Sequence, residues 1–327
     1  MKKRIFLLGL ALLLVAGMVF AGGGQEKGIK VGIVNLHPSE SGYREANVKD
    51  MDRVFNAKNG YNVRKANDNT LDAQLNAARQ FITEGVEYLL ISGADANGWD
   101  SVLRAARDAG VKVFLFDRML NVDQSLYEAA VVSDMENQGR TAVAWMRSLN
   151  LPNYNILHIQ GQIGSAAQIG RTRPLDEAIR TNSNWRLVRR GTGGDTWSAD
   201  EAKRIVEAAI AARENFNIIY AENDGMAEGA MKALQAAGRT YGVNGDVKIM
   251  GFDFNKFALR YVLRGDWNYD GQSSPFQADV IHGFIQKLEA GQPLGLANKI
   301  VINNETYFAN PGKVPTQADI NRYGLGD

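Results

Sequence analysis

The sequence predicts a doubly wound α/β fold, and three features carry that prediction. Past residue 28, short apolar runs rich in Val and Ile alternate with segments of helical periodicity. The runs are continuously apolar, as in strands buried on both faces of a parallel sheet. Glycines stand where helical segments end, at Gly85, Gly110 and Gly238, where a left-handed residue commonly closes a helix. Strands and helices in alternation give parallel sheets covered by helices.

In chain order, the candidate strands are IKVGIVN (29–35), YNVRKAN (61–67), VEYLLIS (86–92), VKVFLFD (111–117) and YEAAVVS (127–133). YNILHIQG (154–161), WRLVRRG (185–191), FNIIYAEN (216–223) and VKIMGFD (247–253) follow, then a weaker WNYDGQ (267–272) and finally KIVIN (299–303). Between the second and third runs, Leu71, Leu75, Ala78 and Ile82 fall on one helical face, and before the fourth Val102, Ala105 and Ala106 do the same. Eleven strands exceed one open sheet of ordinary size, so two sheets of five or six are expected. A break is expected near Ser133–Asn137, with a second chain crossing at Asp270–Pro275.

Composition narrows the function. The 327 residues include 37 basic and 36 acidic ones, a net charge of +1 without the basic excess that nucleic acid binding uses. The absence of cysteine excludes disulfides, thiolate metal sites, a cysteine nucleophile and a lipidated N-terminal cysteine. His37, His158 and His282 are far apart in sequence and give little support to a metal site. At the N-terminus, Lys2, Lys3 and Arg4 precede an uncharged apolar run, 5–20, which closes on Val19-Phe20-Ala21. This predicts a signal peptide over residues 1–21, cleaved near Ala21, and export to the periplasm; an uncleaved membrane anchor is the alternative.

In an open α/β sheet, ligands bind beyond the carboxyl ends of the strands. There the sequence repeatedly places polar pairs: Tyr43-Arg44, Asp117-Arg118, Ser133-Asp134, Arg171, Asn223-Asp224, Asp253 and Gln272. Donors and acceptors in fixed planes suit the vicinal hydroxyls of a sugar, and an aromatic such as Tyr43, Trp99 or Trp197 can stack on its C–H face. The segment GQIGSAAQIG (161–170) lacks both the P-loop Lys-Ser/Thr and the GxGxxG spacing, so no nucleotide cofactor is expected. Each residue also has a plainer role open to it. Asn223-Asp224 and Asp253 suit helix caps, Asp117-Arg118 an internal ion pair, and the aromatics core packing.

The motifs FLFDR (114–118), GSAAQIGR (164–171), YAENDGMAEGAMKALQAAG (220–238) and MGFD (250–253) resemble the periplasmic sugar-binding proteins of ABC importers, of the ribose/galactose type (type I periplasmic binding proteins). The resemblance runs from Ile29 to about Tyr307, and SESGYR (39–44) with ANGWDSVLRAA (96–106) is most similar to the galactofuranose-binding branch. It implies two Rossmann-like lobes, each a parallel sheet flanked by helices, joined by three crossings. The lobes would be residues 28–134 with 273–300, and residues 135–272 with 301–327. It further implies sugar contacts from Tyr43, Arg44, Asp117 and Arg118 in the first lobe and from Asp134 at the first crossing. Arg171, Asn223 and Asp253 would reach in from the second lobe, and Gln272 from the second crossing. In GGDTWS (193–198), either Trp197 or Thr196 takes the family's aromatic position. Tyr43-Arg44 and Ser92 depart from the paired phenylalanines and the asparagine of ribose binders, which argues against ribose.

The resemblance thus implies an exported monomeric binder, not an enzyme, with no metal or other cofactor. It would close on a monosaccharide, a galactofuranose-like hexose or a related sugar, and deliver it to an ABC permease. The alternatives are a sensor presenting sugar to a chemoreceptor or kinase, and a nucleotide-dependent α/β enzyme.

Overall fold

The computed structural model describes residues 28–303 and 313–326, so the expected signal peptide lies outside the described residues. The chain first lays down β1 (Ile29–Asn35), β2 (Tyr61–Asn67), β3 (Tyr88–Ile91), β4 (Lys112–Asp117) and β5 (Ala129–Val132). Helices α1 (Gly42–Val54), α2 (Leu71–Thr83) and α3 (Asp100–Asp108) connect the first four. It then crosses to a second sheet of β6 (Tyr154–Gln160), β7 (Trp185–Thr192), β8 (Ile218–Ala221), β9 (Lys248–Phe252) and β10 (Tyr269–Gly271). Around that sheet pack α4 (Met135–Ser148), α5 (Ala166–Thr181), α6 (Ala199–Ala211), α7 (Asp224–Ala236) and α8 (Lys256–Arg264). The chain returns as α9 (Ala278–Glu289) and β11 (Ile300–Ile302), and α10 (Gln317–Tyr323) ends against α8.

The strand orders are β11-β5-β4-β3-β1-β2 and β10-β9-β8-β6-β7, and every neighbouring pair is parallel. Each sheet is covered on both faces, as continuous apolar strands require. In the first, one face packs on Leu75, Ala78, Val102 and Leu103, the other on Met51, Val54, Ile281 and Ile285. In the second, Val206, Ala230 and Leu234 cover one face, and Val143, Met146 and Leu175 the other. Gly85, Gly110 and Gly238 follow α2, α3 and α7 with φ of +73°, +75° and +64°, the left-handed turn that glycine adopts without steric cost.

Two expectations are corrected. The buried face of α3 is Val102, Leu103 and Ala106, with Ala105 exposed, because the helix lies on the sheet along the 102–103–106 ridge. Residues 301 and 302 belong to the first sheet. Ile300, Val301 and Ile302 pair with Ala130, Val131 and Val132, and the Asn303 N–H donates to the Val132 carbonyl at 2.8 Å. The edge strand Ile300–Ile302 therefore belongs whole to the first sheet instead of being divided after 300.

Among the described residues, no helix is long and apolar enough to cross a membrane. The two lobes touch at the mouth between them. The Ala96 N–H donates to the Gly164 carbonyl at 3.0 Å, and Gln162 Nε2 donates to the Asn69 carbonyl at 2.7 Å.

Candidate binding site

The carboxyl ends of both sheets face a common cavity. Glu40, Ser41, Tyr43, Asp117 and Arg118 form its first-lobe wall. Arg171, Trp197, Asn223 and Asp253, with Met135 and Ala167, form the opposite wall. The free volume is about 20 Å³, roughly room for one water molecule.

The first wall is organised by Asp117, which ends β4 with a left-handed φ of 61° and is completely buried. Its Oδ1 accepts from the Tyr43 hydroxyl at 2.7 Å, and its Oδ2 from Ser92 Oγ at 2.8 Å and Arg44 Nη2 at 2.5 Å. Burial favours the neutral acid, but Arg44 and then Arg118 outweigh it and hold the carboxyl below its usual range. Burial, and then Asp117, push the Tyr43 hydroxyl well above its usual range, so it remains a donor. Arg118 donates from Nη2 to Glu40 Oε1 at 2.8 Å, and its Nε stands 3.7 Å from Asp117. Its Nη1 is buried and has no hydrogen-bonding partner.

Arg44 does not line the cavity. It sits in the first turn of α1, where Tyr43 faces the cleft and Arg44 turns under the sheet. Its Nε donates to Glu40 at 3.1 Å, and its Nη1 to Asn35 at 2.9 Å and Asn47 at 3.0 Å. Every nitrogen of this guanidinium is engaged by protein, so Arg44 positions Asp117 and Glu40 from behind.

On the second wall, Arg171 projects from α5. Its Nε donates to Gln138 at 3.0 Å, Nη1 to the Glu222 carbonyl, and Nη2 to Ser273 Oγ at 2.8 Å and Asp253 Oδ1 at 3.2 Å. Asp253 has a φ of 117°, and its carboxyl is pushed up to about 7. Burial is the main cause; Arg171 opposes it, and Glu40 on the facing wall adds to it. Asn223 caps α7, its Oδ1 accepting from the Met226 N–H at 2.8 Å, and it lines the cavity as well. Asn223 is thus a helix cap placed on the cavity wall.

Trp197, not Thr196, faces the cavity; Thr196 is exposed. A φ of 51° at Trp197 turns the indole back over Gly161, where an added Cβ would lie 2.0 Å from the ring. The guanidinium carbons of Arg118 and Arg171 stand 5.6 and 6.0 Å from its ring centre. The cavity thus offers an aromatic face, two forked cations and several carboxyl oxygens, a set suited to a small polyhydroxylated ring.

Two further expected residues stand elsewhere. Asp134 caps α4, accepting from the Asn137 N–H at 2.9 Å, and lines a separate groove. Gln272 is outside the cavity lining, and the following residue, Ser273, makes the contact to Arg171. Trp99 is a packing residue, fully buried with Nε1 donating to the Asp95 carbonyl at 2.9 Å.

The periplasmic binding protein domain model matches residues 31–291. The chain belongs to the periplasmic binding protein family. It is 31% identical to the galactofuranose-binding protein YtfQ of Escherichia coli K12, over 76% of this chain and 79% of that protein. It is 30% identical to the fructose import binding protein FruE of Bifidobacterium longum NCC 2705, over 84% of this chain and 85% of that one. A solved galactofuranose binding protein superposes with a TM-score of 0.77 at 28% identity, covering 85% of this chain and 93% of that structure.

In this periplasmic binding protein, Glu40 is the main residue that sequence reasoning missed. It pairs with Arg44 and Arg118 at once and is buried between them. The only sequence signal was its spacing, four residues before Arg44, which permits an ion pair along one helical turn. Ser273 carried no signal, because a hydroxyl beside a hinge is common. Among the described residues, no cluster of His, Cys, Asp and Glu is arranged to hold a metal ion.

Proposed function

We propose that this chain captures a monosaccharide between its lobes in the periplasm and delivers it to an ABC permease. The observation that carries this reading is the buried Arg118 Nη1, a charged donor with no protein partner on the cavity wall, opposite Arg171 and Asp253. A buried guanidinium N–H without an acceptor is costly even when the charge itself is paired, and a ligand oxygen satisfies it. Tyr43, Asp117, Arg118, Arg171, Trp197, Asn223 and Asp253 are the proposed contacts. A sugar touching both walls gains interactions that only the closed form offers, so it shifts the population toward closure, and the permease reads that shape. The names of the relatives favour a galactofuranose-like hexose or another sugar of similar ring form. A thermal-shift panel of pentoses and hexoses tests this. A ligand at a hundred times its Kd adds about 2.7 kcal/mol of stability. A melting temperature that rises with at least one furanose-forming sugar supports the reading; one that no sugar moves refutes it.

A further inference from the structure

Behind the second wall, two acids meet where charge is hard to keep. Asp270 on β10 pairs in register with Gly251 on β9. Asp224 opens α7 over the same point, and a Cβ on Gly251 would lie 2.6 Å from Asp224 Oδ1. The missing side chain at Gly251 leaves room for the two carboxyls to meet. Asp224 Oδ2 accepts from the Asn255 backbone N–H and from Asn255 Nδ2, each at 2.9 Å. Asp224 Oδ1 and both oxygens of Asp270 are buried without a hydrogen-bonding partner.

The groups facing the pair do not supply a compensating charge. Asp253, from the loop after β9, adds a third acid, and Tyr269 on β10 adds a phenol. Arg171, from α5, is committed to Asp253, Ser273 and the Glu222 carbonyl. The Phe254 backbone amide and Asn255 favour the charged forms only in part. Burial first, and then the neighbouring acids, push both carboxyls well above their usual range. A buried carboxyl in such surroundings takes a proton, and the proton belongs to the pair rather than to either acid.

We propose that Asp224 and Asp270 share one proton at neutral pH, forming a hydrogen-bonded carboxyl pair that fastens α7 to the hinge strand β10 and so positions the second binding wall. Asn223, the residue before Asp224, lines the cavity. Gly271 after Asp270 pairs with Phe252, the residue before Asp253, and Ser273 beyond it holds Arg171. Asp224 and Asp270 are therefore positioning residues, and both ends of the strut lead to cavity-lining groups.

The test measures urea unfolding of wild type, Asp270→Asn and Asp270→Ala between about pH 7 and 9, with infrared spectra of the wild type. Affinity at about pH 7 is measured with whichever sugar the thermal panel selects, and this arm alone rests on the proposed function. Asp253, raised to about 7, has released most of its proton by about pH 8, so between about pH 8 and 9 the native-state proton excess belongs mainly to the pair. The wild-type folding constant should fall about tenfold per pH unit, because the unfolded chain holds no such proton. In Asp270→Asn an amide donates in place of the proton. That variant should lose the pH slope and keep its affinity, whereas Asp270→Ala should weaken binding by roughly tenfold or more. The wild-type infrared spectrum at about pH 8 should retain the C=O stretch of a protonated carboxylic acid, a readout that needs neither variant to fold. Absence of that band, or an equal slope in wild type and Asp270→Asn, overturns the shared proton. Unchanged affinity in folded Asp270→Ala overturns the positioning role. Failure of every sugar to bind wild type counts against the sugar reading, while the slope and the band still decide the proton.

Discussion

Replacing Arg44 by Met separates a positioning role from a ligand contact more sharply than any other single change in the first lobe. Arg44 is fully buried and neutralises two buried acids, Asp117 at 2.5 Å and Glu40 at 3.1 Å. Methionine fills the space of the aliphatic stem but removes the charge. Breaking a buried pair from one side costs about 3–5 kcal/mol. Arg118 stays 2.8 Å from Glu40 and 3.7 Å from Asp117 and compensates in part, so the lower end, about 3 kcal/mol, applies. For a domain of this size, that lowers the melting temperature by roughly 6–12 °C. The loss depends on pH in a defined direction. In wild type the Asp117 carboxyl lies below its usual range, because Arg44 and Arg118 outweigh its burial. Its contribution is present above the unfolded value of about 4 and is lost as the pH falls through the lowered folded value. Without Arg44, burial dominates and the acid protonates readily. The gap between wild type and Arg44→Met therefore narrows as the pH drops from neutral toward about 4, where the variant's acid takes its proton, and further below about 4, where the wild-type contribution is lost. Differential scanning calorimetry at neutral and acid pH measures both effects. A melting temperature within about 2 °C of wild type at pH 7, or a gap that does not narrow in acid, refutes the hub role.

Three other outcomes follow from the geometry. Asp134→Ala removes the cap of α4 and should cost about 1 kcal/mol in urea unfolding while sugar affinity stays at the wild-type value; a large affinity loss would return Asp134 to the binding site. Gly161→Ala would place a Cβ 2.0 Å from the Trp197 ring, on backbone pinned by hydrogen bonds to Glu222 at 2.9 Å and from Thr192 at 2.9 Å. The indole must then move, and titration calorimetry should show sugar affinity falling by roughly tenfold or more with the protein still folded. Asp253, raised to about 7 chiefly by burial, holds a proton in the native state that the unfolded chain has lost above about pH 4. Wild-type stability should therefore fall as pH rises from about 4 to 7, and Asp253→Asn should make that fall shallower while the share of the Asp224–Asp270 pair remains, with an unchanged slope counting against it.

The strands were legible because central parallel strands are continuously apolar, and even the three-residue β10 and β11 fell within expected runs. The sheet that β11 joins was not legible, since edge pairing with β5 depends on a long return of the chain. At the site, Asp117, Arg118, Asn223 and Asp253 were readable as polar residues at or just past strand ends, and Arg171 as the basic residue closing the segment after β6. Arg44 misled because two neighbours in one helical turn point in different directions, and sequence does not say which meets the cleft. Asp134 misled because a capping acid and a ligand-binding acid look the same at a strand-to-helix junction. Gln272 and Ser273 differ by one register position after a very short strand. The adjacent charges of Asp117 and Arg118 suggested a mutual pair, yet Asp117 is satisfied mainly by Tyr43, Arg44 and Ser92, and Arg118 by Glu40. Of the two, only Arg118 keeps an unpaired buried nitrogen, Nη1, and it lines the cavity together with Trp197, whose Nε1 is also unpaired.

Arg118 Nη1 gives the most direct test of the two-walled clamp. Isothermal titration of the best sugar from the panel should be compared for wild type, Arg118→Ala and Arg171→Ala. Arg118 is a cleaner probe than Asp117, whose removal would strand Arg44. A charged hydrogen bond is worth about 1.5–3 kcal/mol, so each variant should lose roughly tenfold to hundredfold in affinity while remaining folded. Folded variants that both bind the sugar as tightly as wild type would contradict the account.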